Sequence, residues 1–436
     1  MPAQGATDLP SSPEEPPFPP SAPSPNSAGR RGTFRALRHA NYRLYFLGQM
    51  VSLTGSWVQT TALMWLAFQI TGKFSWPAFI MAVQVFPTCL LGVWGGTLAE
   101  RWPRRRLIMI TQAALMVNAL SLTVLVLAKV IEPWHLLVIA AANGLVNAVD
   151  LPARLSFVVD LVGRDDLINA VALNSLTFNL ARALGPVIGA LLLQTLGAGP
   201  CFLLNGLSYV AVLVALQRMT VADAARRTSG EAAEPVTEAF RYLAGRPGLA
   251  LLLVLVGVIA FFGWPVMSLL PGLAERRLGA VEIGYGVLLS GVGCGALLAA
   301  LTVATFGSLA RGRRFVTAGV VITAAALLLL SAVRRLPVAA GCCFLVGYGL
   351  ILFMATSQGV VQLSAGEHNR GRIMGIYSMV LSGSQPLGNL LLGPAADQYG
   401  ESVVVRVEGL GCALGALGVL LWLLIVKQRG GRGTPS

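Results

Sequence analysis

Twelve stretches of about twenty residues run through this chain with almost no charged side chain, at roughly 43–70, 75–97, 107–128, 135–158, 168–195, 200–217, 249–270, 282–306, 315–333, 338–363, 372–396 and 402–426. A hydrocarbon core about 30 Å thick is crossed by about twenty apolar residues in helical form. Backbone groups in lipid must be satisfied within the segment, which makes each stretch a helix. The chain is 55% hydrophobic and 12% charged, against about a quarter charged in a soluble domain. The expected fold is therefore an all-α membrane protein of twelve transmembrane helices in two pseudo-symmetric six-helix bundles.

Residues 1–33 are rich in Pro and Ser and read as a disordered tail. They lack the basic start and apolar run of a signal peptide. The expected domains are this tail, a bundle over 34–218, a central loop over 219–248, a second bundle over 249–426 and a short tail over 427–436.

An even number of spans puts both termini on one side of the membrane. If that side is the cytoplasm, cytoplasmic segments carry 24 of the 32 Lys and Arg residues. The opposite side carries 7, and Arg182 alone lies deep within a span. The positive-inside rule thus predicts a multi-pass protein of the cell membrane with both termini cytoplasmic. The net charge of +13 follows the segment ends, and no basic helix stands in a soluble segment, so nucleic acid is not an expected partner. The lipid bilayer is, and the chain is expected to act as a monomer.

The halves echo each other. At an offset of 203, Ser175, Asn179, Arg182, Gly185 and Pro186 match Ser378, Ser382, Gln385, Gly388 and Asn389. Duplicated six-helix halves place a transporter's binding site between them, near the bilayer midplane.

A charge inside hydrocarbon costs at least about 2.5 kcal/mol at a helix centre. Arg182 lies roughly 21 Å along span 5 at about 1.5 Å per residue. Ser175, Asn179, Arg182, Pro186 and Gly189 share an arc of about 80°. Gln385 and Asn389 continue the stripe of span 11, and Gln49, Ser52, Ser56 and Gln59 form another on span 1. These stripes, with Gln84, Gln358 and Trp264, are read as substrate-binding walls of a water-filled cavity. The competing reading is helix packing through small and polar residues. No Asp or Glu stands at the depth of Arg182 in the neighbouring spans, so a hydrated cavity wall and an anionic substrate are expected for it. Asp150 and Arg154 are four apart and can pair on one helix face. Glu408, shallow in the last span, is assigned a structural role.

The loop Gly96-Thr-Leu-Ala-Glu100-Arg101-Trp-Pro-Arg104-Arg105-Arg106 resembles the signature loop of the major facilitator superfamily, with Glu100 for its aspartate and Pro103 for its second glycine. Leu184-Gly185-Pro186-Val187-Ile188-Gly189 is similar to the Gly-Pro motif of the superfamily's exporters. Asn147-Ala-Val-Asp150-Leu-Pro152-Ala-Arg154, Asn169–Ser175 and Cys201–Asn205 look like the branch of the enterobactin exporter and macrolide efflux proteins. The Arg-x-x-Gln-Gly motif of many family exporters is replaced in span 4 by Ala140-Ala-Ala-Asn143-Gly144. The resemblance implies a gating set of Gly96, Glu100, Arg101, Arg104, Arg105, Asp150, Arg154, Gly185, Pro186 and Gly189. In an outward-open state Arg104 would meet Asp150, and Glu100 would sit at the start of span 11 near Gly371 and Arg372.

No Walker phosphate loop is present. His39, His135 and His368 are scattered, so neither a catalytic nor a metal-binding cluster is expected, and no cofactor is implied. Cys89, Cys201, Cys294, Cys342, Cys343 and Cys412 fall in apolar segments and read as packing residues. The resemblance implies that the chain exports a small organic molecule, siderophore-like or an amphipathic drug, by proton antiport. An importer on the same fold is the alternative.

Overall fold

The computed structural model describes residues 34–163, 165–219, 242–307, 309–365 and 370–430. The expected tail over 1–33, most of the expected central loop and residues 431–436 lie outside them. The described chain is built of long helices: α1 (Ala40–Thr71), α2 (Ser75–Arg101), α3 (Arg104–Leu127), α4 (Pro133–Val162), α5 (Leu167–Leu196) and α6 (Ala198–Arg218), then α7 (Pro247–Arg277), α8 (Glu282–Phe306), α9 (Leu309–Leu330), α10 (Leu336–Ser364), α11 (Arg370–Tyr399) and α12 (Glu401–Gly430). Nine described helices are long and apolar enough by composition to cross a membrane. Of the other three, α1 and α11 are as long but diluted by their polar stripes.

Local chemistry sets the ends. α1 stops at Gly72 (φ 63°) and α5 at Gly197 (φ 82°), left-handed positions that favour glycine. Pro133 opens α4 behind a Glu132–His135 capping box, where its missing N–H would have had no partner in any case. The helices outrun the apolar stretches because their last turns emerge from the hydrocarbon. α4 runs on to Val162 and carries Asp160, and α9 starts at Leu309 and absorbs Arg311, Arg313 and Arg314. α7 breaks at Trp264–Pro265, between helices Pro247–Gly263 and Val266–Gly272, since proline donates no N–H to the turn before it.

Packing repeats with the expected symmetry. α1 lies on α5 and α6, α2 on α4, and α3 on α4 and α6; α7 lies on α11 and α12, α8 on α10, and α9 on α10 and α12. The halves meet where α5 packs on α8 and α11 on α2. We call the end holding the start of α1 and the end of α12 the near end, and the other the far end.

The halves are tightest at the far end. All residues from Thr61 to Phe68 and from Pro265 to Ala274 are buried. A Cβ built on Gly286 of α8 would stand 2.2 Å from Cβ of Ala190, and one on Gly393 of α11 would stand 2.4 Å from Cβ of Ala78. Trp65 stacks on Tyr285 at 5.9 Å, and both are fully buried. Towards the near end, Gly92 and Gly96 of α2 and Gly375 of α11 face open space.

Candidate functional site

The N-terminal bundle holds a cavity of about 360 Å³ at mid-depth among α1–α6. Ser52, Ser56, Gln59, Gln84, Gln112, Asn143, Asn147, Asp150, Arg154, Asn205 and Tyr209 give it a polar wall, and Trp57 and Phe178 an aromatic one. A second cavity of about 220 Å³, lined by Tyr45, Asn174, Ser175 and Asn179, shares Arg154 and Phe178 with the first.

Its wall is a hydrogen-bonded network. Gln84 Nε2 donates to Asn143 Oδ1 at 3.1 Å, and Asn147 Nδ2 to the same oxygen at 2.6 Å. Asn205 Nδ2 donates to Gln59 Oε1 at 2.8 Å. Ser56 Oγ donates to Ser52 O at 2.9 Å. At the base, Asp150 is wholly buried. It accepts from Thr111 Oγ1 at 2.6 Å and Gln112 Nε2 at 3.0 Å, and Arg154 Nε lies 2.8 Å from its Oδ2. Arg154 Nη1 donates to Gln49 Oε1 at 2.9 Å. Gln112 Oε1 and Gln49 Nε2 are buried without partners, which costs about 1–3 kcal/mol for each such group and leaves Gln112 Oε1, on the cavity wall, an acceptor open to a ligand or water.

The sequence-expected residues divide. Ser56, Gln59 and Gln84 line the larger cavity, and Ser175 and Asn179 the smaller. Gln49 is buried behind them on Arg154. Arg182 lines neither cavity and is only 6% exposed. Its guanidinium lies between two indoles, 5.8 Å from the centroid of Trp57 and 5.3 Å from that of Trp264. The expected hydrated wall is thus replaced here by aromatic faces, whose quadrupoles attract a cation at about 0.5–2 kcal/mol each. Among the described residues no carboxylate pairs with it. Trp57 belongs to one half and Trp264 to the other, so this cation bridges the two.

On the C-terminal side Gln358 is exposed. Asn389 is 3% exposed, donates to Gln385 O at 3.0 Å, and keeps its Oδ1 without a partner. Neither described cavity draws on these residues or on Gln385. Both described cavities are walled by the N-terminal half. Asn143 and Asn147 escaped notice as site residues, although with Asp150 and Arg154 they form a 143/147/150/154 stripe on one face of α4.

The gating set also divides. A Cβ on Gly185 would stand 2.4 Å from Cβ of Trp57, and one on Gly189 3.1 Å from Thr61, while Pro186 O lies 2.9 Å from the Cβ position of Gly286. These residues pack α5 on α1 and α8. Arg105 caps α6 through Leu216 O and Gln217 O at 2.8 and 3.0 Å. Arg101 is exposed and Gly96 borders open space, while the Glu100 side chain and the surroundings of Gly371 fall outside what is described. With the far end closed, Arg104 meets Asp160 at 2.7 Å; its expected meeting with Asp150 belongs to an outward-open state. Asp150 stands level with Thr111 and Gln112, seven or eight residues up α3 from Arg104, or about 11 Å. A side chain rooted at the first turn of α3 meets the acid at the same depth.

At the far end the C-terminal half grips the α1–α2 turn at both helix termini. Asp397 of α11 accepts from Phe74 N at 2.6 Å and Ser75 N at 3.1 Å, capping the start of α2. Arg276 donates to Gly72 O at the end of α1 and lies over the rings of Phe68 and Phe74 at 5.1 and 5.2 Å. Each charge matches its helix dipole, an anion at an N-terminus and a cation at a C-terminus. In Asp397→Asn, maleimide labelling of a cysteine placed at buried Ala67 should quicken about fivefold, the factor for about 1 kcal/mol lost at a helix end. An unchanged rate would show that this contact does not hold the far end shut.

Comparison with known proteins agrees with this architecture. Residues 31–429 match the family described as transmembrane secretion effector. The chain is 24% identical over 405 residues to the enterobactin exporter EntS of Escherichia coli O1:K1, covering 91% of this chain and 94% of that protein. It is 24% identical to the multidrug efflux pump Tap of Mycolicibacterium fortuitum, with 82% and 89% covered, and 23% to the staphyloferrin A transporter of Staphylococcus aureus, with 84% and 92% covered. Among solved structures, the nucleoside transporter NupG superposes with a TM-score of 0.70 at 12% identity, covering 90% of this chain and 99% of that one. An inward-facing, occupied bacterial homolog of the lysosomal transporter Spinster gives 0.68 at 13%, covering 90% and 97%. With twelve long helices in two related halves and a family match along nearly its whole length, the chain is a membrane transporter that belongs to the transmembrane secretion effector family of the major facilitator superfamily.

Proposed function

We propose that this transporter exports a small organic molecule, siderophore-like or an amphipathic drug, by alternating access driven by proton antiport. The observation that carries the reading is the tight packing of the two halves at the far end, set against open space beside Gly92, Gly96 and Gly375 towards the near end. The Lys and Arg distribution supports a cytoplasmic near end, the side from which an exporter loads. Named relatives that export enterobactin or drugs support the substrate class.

In this reading the amides and hydroxyls of the larger cavity hold the polar part of the solute, and Trp57 and Phe178 its apolar part. Arg182 becomes available to an anionic group when the halves move and one tryptophan withdraws. Asp150 and Arg154 fix α4 at the cavity base.

The test uses everted membrane vesicles with a labelled catecholate siderophore and an amphipathic antibiotic. Acidifying the lumen should make at least one of them accumulate there, and a protonophore should abolish it. Accumulation that instead requires protons to flow inward with the solute would make the chain an importer.

A further inference from the structure

Two carboxyl groups are wholly buried among the described residues, Asp150 and Glu408. They could hardly be placed more differently. Asp150 is paired with Arg154 and accepts from Thr111 and Gln112. Glu408 has no partner for either carboxyl oxygen.

Glu408 stands seven residues, about 10 Å, along α12 from Glu401. Small residues let α12 lie flush on its neighbours there. A Cβ on Gly409 would stand 2.8 Å from Leu328 of α9, and one on Gly411 2.4 Å from the Phe262 ring of α7. Cys412 Sγ lies 3.8 Å from the Cβ position of Gly263, beside the α7 break.

The surroundings supply no counter-charge. On α7, residues 263–274 contain no titratable side chain, and on α9 neither do residues 316–333. α11 carries Arg370, Arg372 and Tyr377 in its near half, and Asp397 and Tyr399 at the far end, where Asp397 is already on α2. On α12 itself stand Glu401, exposed Arg406 and Cys412. The nearby cation Arg277 is spent on Ser402 Oγ and Ser331 O. An ionised carboxylate without partners is far too costly in such a place, so the group rests there as the neutral acid. Ionising it requires water, and water requires α12 to part from α7.

We propose that Glu408 is the proton-carrying carboxyl of the transport cycle, protonated in the conformation described here and ionised when α7 and α12 separate. One proton is bound from the far side and released to the near side in each cycle. The α7 break beside Cys412 also carries Trp264, one of the two indoles on Arg182. Ionisation of Glu408 would therefore act on the same segment that covers the solute-binding cation. The assignment rests on the antiport reading above.

The test compares wild type and Glu408→Gln, full chain, in proteoliposomes with the solute identified in vesicles. Gln keeps the shape of the neutral acid and cannot release a proton. Accumulation driven by an imposed pH gradient should fall at least about tenfold, and solute-driven proton movement read by a trapped pH dye should vanish. Downhill efflux without a gradient should persist. As a readout independent of transport, dicyclohexylcarbodiimide, which attacks protonated carboxyls in apolar surroundings, should modify the peptide containing Glu408 in wild type. A Glu408→Gln protein that couples like wild type would overturn the assignment alone. Wild type that shows no proton-linked movement would overturn the antiport reading and this assignment with it. If the variant does not reach the membrane, absence of carbodiimide modification in wild type overturns the assignment.

Discussion

Replacing Arg182 by glutamine should reduce transport of an anionic solute by at least about tenfold, the factor that about 1.4 kcal/mol of lost interaction gives. A neutral solute of similar size should lose much less. The guanidinium is buried between Trp57 and Trp264 without a carboxylate, so the variant removes a cation that no acid neutralises. Gln has no charge to offer and is shorter, leaving the two indoles partly unfilled. Initial rates in everted vesicles, at matched expression, separate the effects. An equal loss for both solutes would make Arg182 a packing residue that joins the halves through its tryptophans. The binding role would then be wrong.

The second large effect is expected at the cavity base. Asp150→Asn leaves Arg154 a mostly buried cation with Gln49 Oε1 as its remaining acceptor. Removing one partner of a buried pair typically costs about 3–5 kcal/mol, which should appear as a marked loss of thermal stability in detergent. The double variant Asp150→Asn with Arg154→Gln should recover much of it, because no charge is stranded. Thr111 and Gln112 can still donate to the Asn oxygen, so their loss does not confuse the comparison. If Asp150→Asn unfolds at the wild-type temperature, water rather than Asp150 neutralises Arg154.

Much of this architecture was legible in the residues. Uncharged stretches of membrane-spanning length gave the helices, and the offset of 203 gave the two halves, because hydrophobic length and internal repetition are properties of sequence alone. The pairing of Asp150 with Arg154 followed from their i, i+4 spacing. What sequence could not decide was which polar stripes face space. Gln385 and Asn389 match the cavity-lining span 5 stripe in chemistry, yet they take no part in either described cavity, since a stripe that packs and one that faces water look alike. Depth along a neighbouring helix was equally hidden. With the far end closed, Arg104 meets Asp160 because both lie at the near end, which depends on how α3 and α4 are staggered. Asp397 was passed over and Glu408 was read as structural because their surroundings come from what packs against them, a helix start for one and apolar surface for the other.

The central claim is that the far end and the near end open in turn around the cavity. It is tested most directly by spin-label distances in a background with Cys89, Cys201, Cys294, Cys342, Cys343 and Cys412 replaced; all six are free thiols. One label pair, Thr71→Cys with Glu401→Cys, spans the far end, and another, Arg106→Cys with Arg313→Cys, spans the near end. On adding solute and an imposed pH gradient, the far-end distance should lengthen in a fraction of molecules while the near-end distance shortens in the same fraction. Distances that stay fixed under both, or that lengthen together, would contradict alternating access.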